Sequence, residues 1–411
     1  MSTSTDSAKT GPAATAPAAG GLPDLLYGEA ETELRAAVRS LLEDRCGWRE
    51  VLARTETDQT YDTGLWRVLA ADLGCAGLLI AEDSGGAGAS YREAAVVAEE
   101  TGRGVAPVPF LGSAVVATEA LLAADDRELL AALAAGTTTA ALAVPFAAAP
   151  SSGGVWGGRP PGASTVRPAP TVRLVSPAGG GSDGYWLTGT VAGVADALPA
   201  DVLVVPADGV PYGLYAVSAD SVGLAPVVSL DMTRQLADLT FEGVPARRIA
   251  SGGAAHRAVA RALDAGAAML ASEQFGAAER CLEMTVAYLK ERRQFGRQIG
   301  SFQALKHRVA DLWVGVTQAR AAARYAAACL AAGAPDTPVA IALAKAACSD
   351  IAVRVAQEGV QLHGGIGFTW EHPAHLYLKR AKSSSIGLGT ADWHRASLAG
   401  LAGLDPPGAG R

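Results

Sequence analysis

The sequence predicts an α+β chain in three parts: an N-terminal helical domain, a central β-domain and a C-terminal four-helix bundle. Three observations carry that prediction. Apolar residues recur at helical spacing from Leu25 to about Gly136, short β-branched and aromatic runs fill 138–250, and long Ala- and Leu-rich stretches return from Ala254 onward. The helices and strands are segregated along the chain, which separates this pattern from an alternating βαβ sheet. The 411 residues suffice for two or three domains of ~100–200 residues each, with ample core.

In chain order, residues 1–22 are small, polar and punctuated by Pro and Gly. Such a stretch cannot repay the entropy of ordering, so a floppy tail is expected. It holds no Arg and no long apolar segment, which argues against a transit or signal peptide. The helical domain is expected over 23–137: Leu34, Val38, Leu41 and Leu42 share one helical face, as do Leu65, Val68, Leu69 and Leu73. Turn clusters such as Asp83-Ser84-Gly85-Gly86 interrupt it. The β-domain is expected over 138–250, with strands in TTTAALAVPF, YWLTGTVAGV, DVLVVPA, YGLYAV and LADLTFEGV. Within it, 147–184 reads as a loop-like insert, and Gly181-Ser182-Asp183 as a turn. The bundle is expected over 251–405, with helices near 254–290, 302–332, 337–363 and 371–400. Its Ala content favours close helix approach and oligomerisation.

Composition excludes several classes of function. Lys+Arg total 34 against 41 Asp+Glu, a net charge of −7, whereas a nucleic-acid binder needs a basic stripe. No apolar run reaches the ~18 residues that span a bilayer. Cys46, Cys75, Cys281, Cys329 and Cys348 are scattered, odd in number and without CxxC spacing. That suits a reducing, cytoplasmic compartment better than a disulfide framework or a zinc site. His372 and His375 lie i, i+3 with no third ligand nearby, so no metal is expected. No GxSxG follows a strand, no GxGxxG opens a βαβ unit and no P-loop is present.

Two segments concentrate chemistry. Residues 291–303, ERRQFGRQIGSFQ, place three arginines and two phenylalanines where one helix ends and the next begins. The planar guanidinium suits a pyrophosphate, and a helix start offers free N–H groups, although a solvated basic turn has the same composition. Residues 361–373, QLHGGIGFTWEHP, set three glycines between long helices. That lets backbone approach a ligand or another chain, or simply turns the chain after a helix cap.

Together these runs, extended to ERRQFGRQIGSFQALKHRVADL and QLHGGIGFTWEHPAHLYLKRA, resemble the acyl-CoA dehydrogenase family. The stretch 65–103 is similar to the family's helical domain, and Leu230-Asp231-Met232-Thr233-Arg234 to a segment near the end of its β-domain. The resemblance covers about residues 25–400. It implies the same three-part fold, assembled as dimers or tetramers around FAD and an acyl-CoA. It also implies removal of an α-proton by a carboxylate and of a β-hydride by the flavin.

Here the sequence departs from the family. Many members carry the base before a Gly-Thr near the C-terminus, and the matching segment Ile386-Gly387-Leu388-Gly389-Thr390 holds Leu388 there. Another subset carries it on the first bundle helix, at the position of Gly266. Leucine and glycine take no proton, and loss of a base typically costs ~10²–10⁴ in rate. The family's Thr/Ser-Glu-Pro segment is replaced by Ala143-Val144-Pro145-Phe146, and its aromatic-x-Thr/Ser beside the flavin ring falls at Gly193 and Ala195. A glutamine position past the Gly-Thr is Asp392. By contrast, Arg292, Phe295, Gln303, Gln361, Gly364, Gly365 and Thr390 match positions at which the family contacts flavin, mostly flavin held by a neighbouring subunit. The split resembles the base-less subunit of actinobacterial heteromeric acyl-CoA dehydrogenases, some of which shorten steroid side chains.

The expectation is therefore a subunit that lacks the base and completes the FAD site of a homologous partner chain in a heterotetramer. Two alternatives accompany it. One is a self-sufficient flavoprotein, alone as dimer or tetramer, with a displaced base at Glu273 or Asp264. Glu273 lies i+7 from Gly266, on its helix face. The other is a non-redox protein of secondary metabolism that binds an acyl-CoA or acyl-carrier thioester.

Overall fold

The computed structural model describes residues 24–150, 172–175 and 184–404. The tail 1–22, most of the insert 147–184 and the turn at Gly181-Ser182-Asp183 lie outside them.

The first layer is helical: α1 (Glu29–Arg45), α2 (Trp48–Thr55), α3 (Thr63–Arg67), α4 (Tyr91–Gly104), α5 (Thr118–Ala124) and α6 (Arg127–Ala134). Wider π-type turns extend α3 over Val68–Asp72 and precede α5 over Phe110–Ala117. At the start of α4, Ser90 Oγ accepts from the Arg92 N–H while the Glu93 carboxylate accepts from the Ser90 N–H. This reciprocal cap satisfies donors that the first turn leaves open.

Next come β1 (Ala140–Leu142), β2 (Arg173–Val175), β3 (Tyr185–Ala195), β4 (Val202–Ala207), β5 (Gly213–Ser218), β6 (Gly223–Val227) and β7 (Leu236–Ser251). They form one sheet in the order β1-β4-β5-β7-β3-β2, with β6 also on β7. Among the described residues β1 and β4 pair in parallel and the other strand pairs are antiparallel. Alternation on β7 sends Ala237, Leu239 and Phe241 into a core of their own with Leu187, Val205 and Tyr215. A register shift between Val191 and Val194 bends β3, with Gly193 left-handed at φ 64°.

The last layer is α7 (Gly252–Glu291), α8 (Gln303–Ala332), α9 (Thr337–His363), α10 (Ala374–Ile386) and α11 (Ala391–Leu401). The stretch expected as one helix over 371–400 is thus two, parted at Gly387-Leu388-Gly389. A two-residue-strand hairpin, β8 (Arg293–Gln294) and β9 (Arg297–Gln298), links α7 to α8. Its turn residues Phe295 and Gly296 are both left-handed, at φ 52° and 73°, as a tight hairpin requires.

The helical layers touch backbone to backbone. A Cβ on Gly102 of α4 would lie 2.1 Å from the Glu273 carbonyl oxygen of α7, and one on Gly276 of α7 would lie 1.9 Å from the Glu99 oxygen of α4. These reciprocal glycines seat α7 against the N-terminal domain and fix where its inward face meets the β-domain. All five cysteines are buried and free. Among the described residues, no helix is long and apolar enough to cross a membrane.

Candidate functional site

The two base positions, found from separate motifs, meet in space. A Cβ built on Gly266 of α7 would stand 3.0 Å from Leu388 Cδ1 and 2.8 Å from Val116 Cγ2. A side chain at either position would therefore fill the same small volume. Leu388 is 3% exposed and holds a left-handed backbone at φ 53°, a conformation uncommon for a branched residue. The volume is apolar: Leu388, Val116 and the bare face of Gly266 line it.

Phe146 packs beside this contact from the β-domain side. Its N–H donates to the Gly193 carbonyl at 2.8 Å, and its carbonyl accepts from the Leu388 N–H at 2.7 Å. A Cβ on Gly387 would lie 2.3 Å from Phe146 Cζ, so only glycine lets the ring pass. The Arg234 guanidinium stands 5.4 Å from the ring centroid. Where the family resemblance calls for groups that cradle a flavin ring, the chain offers its own phenyl ring, the bulged Gly193 of β3 and its neighbour Ala195. None of these three side chains carries a hydrogen-bonding group for a flavin ring.

The two fallback acids have different surroundings. Glu273, 3% exposed, is ion-paired to both Arg234 and Arg380, with Arg380 Nε 2.9 Å from Oε1. Arg380 also donates to Thr233 Oγ1 at 2.9 Å. Burial alone would push the Glu273 carboxyl up, but the two guanidinium groups outweigh it and hold it below the ordinary carboxylate range. It is a locked ion joining α7 and α10 to the Asp231–Arg234 turn, and it is not free to collect a proton. Asp264 lines a groove with Tyr91, Glu119, Arg261 and Ile341, and burial pushes its carboxyl up to about 7. Two residues before Gly266, it stands roughly 200° around the helix from the face that meets Leu388.

The seven residues matched to flavin contacts are arranged oppositely: Arg292, Phe295, Gln303, Gln361, Gly364, Gly365 and Thr390 are all exposed. Phe295 is 89% exposed and touches Phe302 edge-on at 6.0 Å between centroids. The side chains of Arg292, Gln303 and Gln361 make no hydrogen bond or ion pair within the described residues. Tyr288 of α7 packs on His363 of α9 with centroids 4.6 Å apart, which brings the segment ending at Arg292 and the segment starting at Gln361 to one end of the bundle. Unpaired donors and a flat ring on a surface suit the diphosphate and adenosine of a flavin that approaches from outside. Asp392, expected to place a charge near that diphosphate, is paired with Arg395 at 3.0 Å.

His372 packs against His363 with its ring tilted by 40°, centroids 4.1 Å apart, and His375 meets Trp370 edge-on at 4.7 Å. Among the described residues no three His, Cys, Asp or Glu side chains are placed to hold a metal ion. Two residues beside the Gly266–Leu388 contact are not singled out by the sequence, Lys345 and His394, and the packing role of Phe146 is not visible in it. Lys345 had a visible signal, a lone cation in the otherwise apolar helical run Ile341–Cys348.

Residues 256–401 match the family model described as acyl-CoA dehydrogenase, C-terminal domain, and residues 28–136 match acyl-CoA dehydrogenase, N-terminal domain. The acyl-CoA dehydrogenase IpdE2 of Mycobacterium tuberculosis is 39% identical over 352 residues, 86% of this chain and 91% of that one. Among solved structures, a variant of the Tcur3481–Tcur3483 steroid ACAD aligns at 31% identity and a TM-score of 0.76, covering 91% of this chain and 98% of that one. The ChsE4–ChsE5 complex from Mycobacterium tuberculosis aligns at 26% identity and 0.78, covering 93% and 100%.

Proposed function

The chain belongs to the acyl-CoA dehydrogenase family, and from that premise we propose that it is the subunit without a catalytic base in a heteromeric, FAD-dependent acyl-CoA dehydrogenase. One observation carries the reading: both base positions converge on a single apolar contact between Gly266 and Leu388, while the seven flavin-matched residues face outward. A homologous chain supplies the carboxylate and the complete acyl pocket. This chain contributes Arg292 and the hairpin ring Phe295 to the cofactor's diphosphate and adenosine, with Gln303, Gln361 and the Gly364-Gly365 backbone beside them. The flavin, when bound, accepts the electron pair removed from the acyl chain. The residues of this chain neutralise the diphosphate and exclude water from it, and move no proton. Two relatives support the reading, since one similar solved structure is a complex of two differently named chains and another carries a two-chain name.

Co-expression with a homologous chain tests the proposal. A one-to-one complex with one flavin per pair is the expected product. A flavin-loaded oligomer of this chain alone would refute it. A second reading, a self-sufficient flavoprotein with Asp264 as its base, has only the burial that raises this carboxyl to about 7 in its favour and the position of Asp264, roughly 200° around α7 from the Leu388 face, against it. Under that reading, acyl-CoA would bleach flavin bound to this chain alone, and Asp264→Asn would abolish the bleaching.

A further inference from the structure

The loop at Gly387-Leu388-Gly389-Thr390 is held in a shape its own sequence does not favour, with Leu388 and Gly389 both left-handed at φ 53° and 92°. Three of its backbone polar atoms are held from elsewhere in the chain. The Leu388 N–H donates to Phe146 O at 2.7 Å, and His394 Nε2 lies 2.9 Å from Leu388 O. The Gly389 carbonyl is taken by Lys345 of α9, whose Nζ donates to it at 3.1 Å, to Ser384 O at 3.1 Å and to Ser349 Oγ at 2.9 Å. Lys345 is fully buried, at 0% exposure. An ammonium group taken out of water is costly unless its protons are used, and here all three are. Two of them join the last turn of α10 to Gly389, just before α11, across the break.

We infer that Lys345 is a positioning residue: through Ser384 and Gly389 it sets the 387–390 loop, and with it the exposed Thr390 on the cofactor-facing edge. This inference rests on the proposed function for what Thr390 faces, but the clamp itself does not. Thr390 starts α11, its Oγ1 accepting from the Trp393 N–H at 3.2 Å, so the geometry of the break fixes its direction. Burial lowers the Lys345 amine to about 7, and a neutral amine still has two protons for the two carbonyls.

The test has two arms, one on the chain alone and one on the assembled complex. In the lone chain, hydrogen exchange of a peptide spanning 384–393 should quicken about tenfold in Lys345→Met, with α8 peptides unchanged. Exchange at the wild-type rate would overturn the inference. If that variant does not fold, Ser349→Ala removes one of the three acceptors, and the same peptide should quicken severalfold; no change would again overturn it. In the complex, Lys345→Met should weaken FAD binding about tenfold and alter the shape of the visible flavin band. A released loop with unchanged flavin affinity and spectrum would reduce Lys345 to a structural residue. Absence of any partner would leave the exchange arm decisive, so failure of the proposed function and failure of the clamp are read separately.

Discussion

Two glycine-rich breaks interrupt the C-terminal bundle, one buried and one exposed. At Gly387-Leu388-Gly389 an added methyl would strike Phe146 at 2.3 Å or His394 at 2.9 Å, so the neighbours within the chain explain the glycines. At Gly364-Gly365 an added methyl would meet nothing within 4 Å. Gly364 has a left-handed φ of 63° that accounts for it, but Gly365 has neither a crowded neighbour nor a demanding backbone. Nothing among the described residues requires a glycine at 365. The buried break has become a packed joint, and the exposed one is an unfinished surface.

That contrast is open to mutation, starting where the effect is largest. Glu273→Gln leaves Arg234 and Arg380 short of a counter-ion in the interior and should cost ~3–5 kcal/mol of stability by denaturant unfolding. A near-neutral result would free Glu273 to be reconsidered as a base. Leu388→Ala opens a cavity against Val116 and Gly266 and should cost ~2–5 kcal/mol. Turnover of the assembled complex should be preserved once it is folded, and a selective loss of turnover would place Leu388 in the chemistry. Arg292→Ala should weaken FAD binding in the complex by ~1.5–3 kcal/mol through loss of a charge-assisted contact. An unchanged affinity would show that Arg292 points elsewhere. Gly365→Val should leave the lone chain within ~0.5 kcal/mol of wild type, as for other open surface sites, yet strip flavin from the complex. Normal flavin content in that variant would remove Gly365 from the interface.

The gentlest expected effect is on pH. The Lys345 amine is lowered to about 7 in the folded chain, so above that pH the unfolded chain binds a proton that the folded chain does not. Stability should therefore rise as pH climbs from about 7 toward the ordinary lysine range, and the slope should flatten in Lys345→Met. Unfolding midpoints across that window measure it.

Local pattern made the long bundle helices legible, because Ala- and Leu-rich periodicity over whole turns dominates their burial. It failed where tertiary contacts decide. The stretch 371–400 carries the Gly387 and Gly389 pair that marks a break, but the contacts that shape the break come from Phe146, from Lys345 on α9 and from His394 on α11. Strand β6 was missed because Pro226 interrupts a five-residue run, a residue tolerated where a strand is paired on one side only. Glu273 shares a helix face with Gly266, which made it a candidate base. The arginines that claim it lie 39 and 107 residues away along the chain, where periodicity does not reach. The Gly266–Leu388 pairing was legible one position at a time, but their meeting at one point belongs to the fold.

The most direct measurement is flavin uptake by the purified chain with and without its homologous partner, followed by anaerobic addition of acyl-CoA. The account predicts a colourless protein that gains no bound FAD alone and a yellow, acyl-CoA-bleachable complex once the partner is added. A lone chain that retains stoichiometric FAD and bleaches on acyl-CoA would contradict it.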